Sequence, residues 1–69
     1  KMNERQKKVI NRMLDEGIKG FKGGMNAKKY ISITETSKAT ATRDLQELVS
    51  INVFTINGLG RSTSYVINI

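Results

Sequence analysis

The sequence predicts an α+β fold of three helices followed by a β-hairpin, and three observations carry that prediction. Apolar residues recur at helical spacing in three windows between Asn3 and Val49, the period turns to strand-like alternation after Asn52, and Gly58 and Gly60 divide the alternating stretch into two runs. A chain of 69 residues has room for one small domain, because chains of this size bury only about 60% of the surface they expose when unfolded. A large enzyme cleft is not expected.

The first helical window opens at Asn3, a good N-cap, with Gln6 three residues later as in a capping box. Val9, Ile10, Met13 and Leu14 then form one apolar stripe, with Arg5, Lys8, Arg12 and Asp15 largely on the other sides. Gly17 can adopt the left-handed conformation that stops the helix, with Ile18 folding back on its last turn. Gly20, Gly23 and Gly24 mark a loop in which Phe21 and Met25 are the expected core anchors.

The second window is capped by Asn26 and covers Ala27 to Ile33, with Tyr30, Ile31 and Thr34 facing inward and Lys28, Lys29 and Ser32 outward. The third opens at Ser37 and carries Ala41, Leu45, Leu48 and Val49 on one stripe. Only Thr34, Glu35 and Thr36 separate the two, the short turn of a helix-turn-helix unit. The strand-like runs Val53–Asn57 and Thr63–Ile69 then read as a hairpin, with Tyr65, Ile67 and Ile69 on the face that closes the core. Three helices and a hairpin in this order make a winged helix-turn-helix.

Composition limits what such a domain can do. There is no cysteine and no histidine, which removes disulfides, zinc fingers, thiol nucleophiles and imidazole chemistry; no catalytic residue, cofactor or metal site is expected. No apolar run approaches the roughly 20 residues that span a bilayer, so no membrane contact is expected. The lack of cysteine is compatible with a reducing cytosol, and the expected location is cytoplasmic. The acids Glu4, Asp15, Glu16, Glu35, Asp44 and Glu47 read as caps and surface partners, with Glu47 near the end of a surface helix.

The net charge is +6, and eleven of the twelve Lys and Arg residues lie between Lys1 and Arg43. Such a half attracts polyanions or is simply a solvated basic face. The fold favours double-stranded DNA as partner. On the outer side of the third helix Ser37, Lys38, Thr40, Thr42 and Arg43 can hydrogen-bond phosphates and base edges, and Ala39 is small enough to approach a thymine methyl. Ser and Thr are also simply common near helix starts. Lys28 and Lys29 open the second helix, whose N-terminus commonly meets the phosphate backbone in this motif, or they are solvated. In the wing, Arg61, Ser62 and Thr63 follow two glycines at the hairpin tip; Arg61 can reach a phosphate or the minor groove, or is an ordinary loop arginine. The glycine-rich segments Gly20–Gly24 and Gly58–Ser62 are not phosphate-binding loops, since one joins two helices and the other two strands.

The runs Asn3–Lys7, Gly20–Met25 with Lys29-Tyr30, Ser37–Leu45 and Gly58–Thr63 together resemble the C-terminal winged-helix domain of bacterial Fic (Fido) family proteins, over nearly all 69 residues. Fic proteins typically transfer AMP from ATP to a hydroxyl side chain of a target protein through a His-Pro-Phe motif. This chain has neither histidine nor proline, so the resemblance implies an upstream catalytic domain in a longer protein and carries no catalytic residue here. The start at Lys1 without an initiator methionine fits that expectation. A regulatory or interaction module docking on the Fic domain, on a second copy as a homodimer, or on a target is the competing expectation, favoured by Glu35, Asp44 and Glu47 near the DNA-facing surface. Such domains often have glycine where Glu35 stands, and glutamate tolerates positive φ poorly.

Overall fold

The computed structural model describes residues 2–17, 24–58 and 63–68. Its elements are α1 (Glu4–Asp15), α2 (Ala27–Thr34), α3 (Lys38–Ser50), β1 (Phe54–Asn57) and β2 (Ser64–Ile67), an α+β winged helix-turn-helix with the hairpin last.

Each helix starts where a side chain can satisfy an unpaired backbone N–H. Asn3 accepts from the Gln6 N–H while the Gln6 side chain accepts from the Asn3 N–H, both at 2.8 Å, closing the expected capping box. Asn26 caps α2 through the Lys29 N–H and Ser37 caps α3 through the Thr40 N–H. The stops are equally local. Gly17 takes φ +90° just beyond α1, and its N–H donates to the Leu14 carbonyl. After α3, Asn52 takes φ 65° while the Asn52 and Val53 N–H groups donate to Val49 and Leu48. These two bonds form a Schellman motif with asparagine in the left-handed position.

The core is Val9, Met13, Met25, Tyr30, Ala41, Leu45, Leu48 and Phe54, bordered by half-buried Ile10, Ile31, Val49, Tyr65 and Ile67. The α3 stripe Ala41, Leu45 and Leu48 is buried as its spacing predicts, with Val49 at its margin. The α1 stripe is rotated from expectation. Gln6, Val9 and Met13 occupy its buried face, Ile10 flanks it, and Leu14 is 50% exposed. A polar side chain that can satisfy itself takes the place the apolar count gave to Leu14.

β1 and β2 pair antiparallel with Phe54 opposite Ile67 and Ile56 opposite Tyr65. Tyr65 and Ile67 therefore share a face with Phe54, whose ring lies 6.1 Å from that of Tyr65. Ile69, expected on the same face, and Ile18 and Phe21, expected as anchors, lie outside the described residues. A contact the periodicity does not announce joins the hairpin to the helices: Met25 N–H donates to the Tyr65 carbonyl and Tyr65 N–H to the Met25 carbonyl, both at 2.7 Å. The segment leading into α2 thus acts as a third, single-residue strand beside β2.

Gly24 makes that approach feasible. It has φ +74°, and a Cβ there would lie 2.8 Å from the Tyr65 carbonyl oxygen and 3.0 Å from Val66 Cγ1. Gly17 also has positive φ, yet a Cβ there meets nothing within 4 Å. Gly17→Ala should therefore cost only the left-handed backbone penalty, about 1–2 kcal/mol. Gly24→Ala should cost roughly 1–3 kcal/mol more, because the backbone it strikes cannot swing away. Urea unfolding of both variants, with equal cost as the contrary outcome, checks the bridge.

Candidate nucleic-acid interface

α2 and α3 meet through Glu35, Thr36 and Ser37, a turn one residue later than the spacing suggested because Thr34 completes α2. Thr34 Oγ1 donates to the Tyr30 carbonyl at 2.8 Å, which holds that last turn together. Glu35 then adopts φ 56° and ψ 41°, the left-handed conformation, and its N–H donates to the Ile31 carbonyl. The turn keeps its geometry with glutamate in a position that suits glycine.

Asp44 fixes α3 against the other two helices. The sequence placed it among surface acids; it is only 1% exposed. Arg5 Nε and Nη2 donate to its two oxygens at 2.7 and 3.1 Å, Tyr30 Oη donates at 2.7 Å, and Asn3 Nδ2 donates at 3.1 Å. Gln6 Nε2 donates to the Asp44 backbone carbonyl at 3.0 Å and to Glu47 Oε1 at 3.1 Å. No buried side-chain nitrogen or oxygen among the described residues lacks a partner.

The carboxylate is stable there because its neighbours outweigh its burial. Burial alone would push its pKa up; donation from Arg5, Tyr30 and Asn3 brings it below the ordinary value of 3.8, so it stays ionised. The hydrogen bond to Asp44 raises the Arg5 pKa in turn. Burial, then the bond to the adjacent carboxylate, pushes the Tyr30 hydroxyl well above the ordinary tyrosine value of 10.0. The signal was present in the sequence: residue 44 is three after Ala41 and four before Leu48, hence on the buried stripe.

The other side of α3 carries most of the predicted contact residues. Ser37, Lys38, Ala39 and Arg43 are exposed, and Thr40 and Thr42 are half-buried. Ser37 is committed to the helix start, since its hydroxyl accepts the Thr40 N–H at 3.1 Å and donates to Thr40 Oγ1 at 3.0 Å. Lys28 is exposed in the first turn of α2, whereas Lys29 is half-buried and its Nζ donates to the Gly24 carbonyl at 2.9 Å. Among the described residues Lys28, Lys38 and Arg43 form no ion pair. Thr63 is half-buried just before β2, and Arg61 and Ser62 lie outside the described residues.

No protein-family model matches the chain, and no curated protein is similar to it.

Two of the three acids that counted against a DNA-facing surface are turned away from it. Asp44 is neutralised by Arg5 in the core, and Glu47 receives the Gln6 amide from α1. Glu47 is still exposed at the surface, and Glu35 is exposed in the turn. Sequence reasoning missed Gln46, which is exposed three residues after Arg43 and therefore on the same side of α3.

Two predictions follow from this geometry. Glu35→Gly relieves a left-handed residue at about 1–2 kcal/mol and restores about 0.4–1 kcal/mol of unfolded-chain entropy, so the protein should gain roughly 0.5–1 kcal/mol. A thermal melt that drops instead would show that the glutamate side chain holds the turn. For the core network, the depressed Asp44 pKa means that its stabilisation is complete above the unfolded-state value and is lost as pH falls through the lower folded-state value. The raised Tyr30 pKa means the reverse on the alkaline side, a loss that begins as pH rises past about 10. Tyr30→Phe should cost about 1.5–3 kcal/mol at neutral pH, the worth of a hydrogen bond to a charged group. It should also shrink the acid-sensitive part of stability and abolish the alkaline part, as read from melting temperature against pH.

Proposed function

We propose that this chain is a non-catalytic domain that binds double-stranded DNA, with α3 in the major groove and the wing on the flanking backbone. The observation that supports it is the two-sided character of α3. Its acids are drawn toward α1, while Lys38 and Arg43 hold no carboxylate among the described residues and stand beside the small Ala39 and the short Thr42, with Lys28 at the start of α2. Cations that hold no carboxylate keep their full attraction for phosphate, and small neighbours let a helix approach base edges.

The resemblance to Fic-family C-terminal domains extends this reading. The chain would be the DNA-binding end of a longer, cytoplasmic bacterial protein whose AMP-transferring domain lies upstream. An adenylylation assay on this chain alone should then give no product, and the sequence upstream of Lys1 should carry a His-Pro-Phe motif.

A second reading has its own support. Leu14, Ile51 and Ile56 are 50%, 44% and 48% exposed, all outside the proposed DNA-facing residues of α3. Large apolar side chains left in water suit docking on the upstream domain, on a second copy or on a target protein. Crosslinking and size-exclusion chromatography separate this reading from the first.

Fluorescence anisotropy on duplex DNA tests the main proposal. Affinity should fall by orders of magnitude between about 50 and 200 mM salt, as phosphate contacts require. Lys38→Ala or Arg43→Ala should reduce discrimination between sites by about 1–3 kcal/mol, and Arg61→Ala should weaken all duplexes alike and lower the salt slope by about one unit. Absence of binding at the lower salt, or unchanged binding by folded Lys38→Ala and Arg43→Ala variants, would overturn it in favour of the interaction module.

A further inference from the structure

The outward stripe of α3 does not end at Arg43. Ala39, Arg43 and Gln46 follow one another at spacings of four and three, all exposed, opposite the buried stripe of Ala41, Asp44, Leu45 and Leu48. Gln46 makes no side-chain hydrogen bond among the described residues, so both halves of its amide are uncommitted. The next residue does not compete for whatever Gln46 meets, because the Glu47 carboxylate accepts from Gln6 on the α1 side.

We propose that Gln46 is a base-reading residue that selects an A·T pair one or two pairs from the pair read by Arg43; this rests on the DNA-binding proposal above. The chemistry sets the choice of base. A glutamine amide presents one acceptor and one donor side by side, which match the N6 amino group and N7 of adenine. Arginine presents two donors, which match O6 and N7 of guanine. Three helical residues advance about 4.5 Å, against about 3.4 Å for one base pair, so the adenine lies one or two pairs from the guanine. Ala39, one turn before Arg43, is placed for a thymine methyl on the opposite flank. The preferred duplex is thus a mixed site with G·C and A·T positions within two pairs of each other, not a uniform A·T tract read by shape.

The test is selection of duplexes from a randomised library by the 69-residue chain, followed by anisotropy titration of the selected duplex and its single-pair variants. The wild-type chain should prefer a guanine with an adenine one or two pairs away, each wrong pair costing about 5- to 150-fold in affinity. Gln46→Ala should lose discrimination at the adenine alone, keeping both the guanine preference and the salt slope. Gln46→Glu should move the preference at that position to cytosine, whose N4 amino group donates to a carboxylate. A residue that merely supports the fold would not produce that exchange. Circular dichroism on both variants should show unchanged helix content, since Gln46 is exposed. Strong binding with no preference at any position, or an adenine preference that survives Gln46→Ala, overturns the assignment of Gln46 while leaving DNA binding intact. No binding to any duplex at low salt overturns both.

Discussion

Taking an ionised carboxylate out of water costs on the order of several kcal/mol unless charge and hydrogen bonds replace the lost hydration. At Asp44 the replacement comes from two neighbouring helices at once: Asn3 and Arg5 at the start of α1 and Tyr30 in the middle of α2 converge on an acid carried by α3. No one of these helices can shift without leaving a polar group unpaired in the interior. Apolar packing among Val9, Met13, Leu45 and Leu48 would tolerate small rotations, because contact between hydrocarbon groups has little directionality. A carboxylate that accepts four hydrogen bonds does not. The orientation of α3 about its own axis is therefore set by Asp44, and with it the set of residues that face outward.

That constraint also sorts charge. Arg5, one of the twelve basic residues, is held by the buried Asp44 carboxylate, and Lys29 is held at the Gly24 carbonyl. The outward side of the helix-turn-helix unit is consequently more basic than the sequence of α3 alone implies, even though the overall surplus of cations is partly used up. Net charge is a poor guide to a surface when some of the ions face inward.

Local signals made most of the architecture legible. Asn3, Asn26 and Ser37 mark the three helix starts through their own side chains, and the stripe of α3 and the alternation after Val53 need only nearest neighbours in sequence to be read. What escaped depends on distant pairs. Asp44 meets Arg5 across 39 positions and Tyr30 across 14, so its place on the α3 stripe was legible but the donors that make its burial possible were not. The rotation of α1 that exposes Leu14 has the same origin, because Gln6 earns its buried place from Asp44 and Glu47 on another helix. At the candidate interface, Lys38, Ala39, Thr42 and Arg43 were legible as the residues left over from the core stripe. Gln46 belongs to the same remainder and was passed over because it lies beyond the run Ser37–Leu45 from which the contact residues were read.

The bridge between Met25 and Tyr65 bears on how the chain behaves among its own copies. Where Ile56 faces Tyr65, the backbone groups of Tyr65 point away from β1, and Met25 takes both of them. At that point β2 offers nothing for a foreign strand to pair with, while the outer edge of β1 carries no such bridge among the described residues. That edge spans only Phe54–Asn57. A run so short is a weak template for strand addition, so the fold carries a hairpin into solution while limiting the edge-to-edge stacking by which small β-ribbons begin to form fibrils.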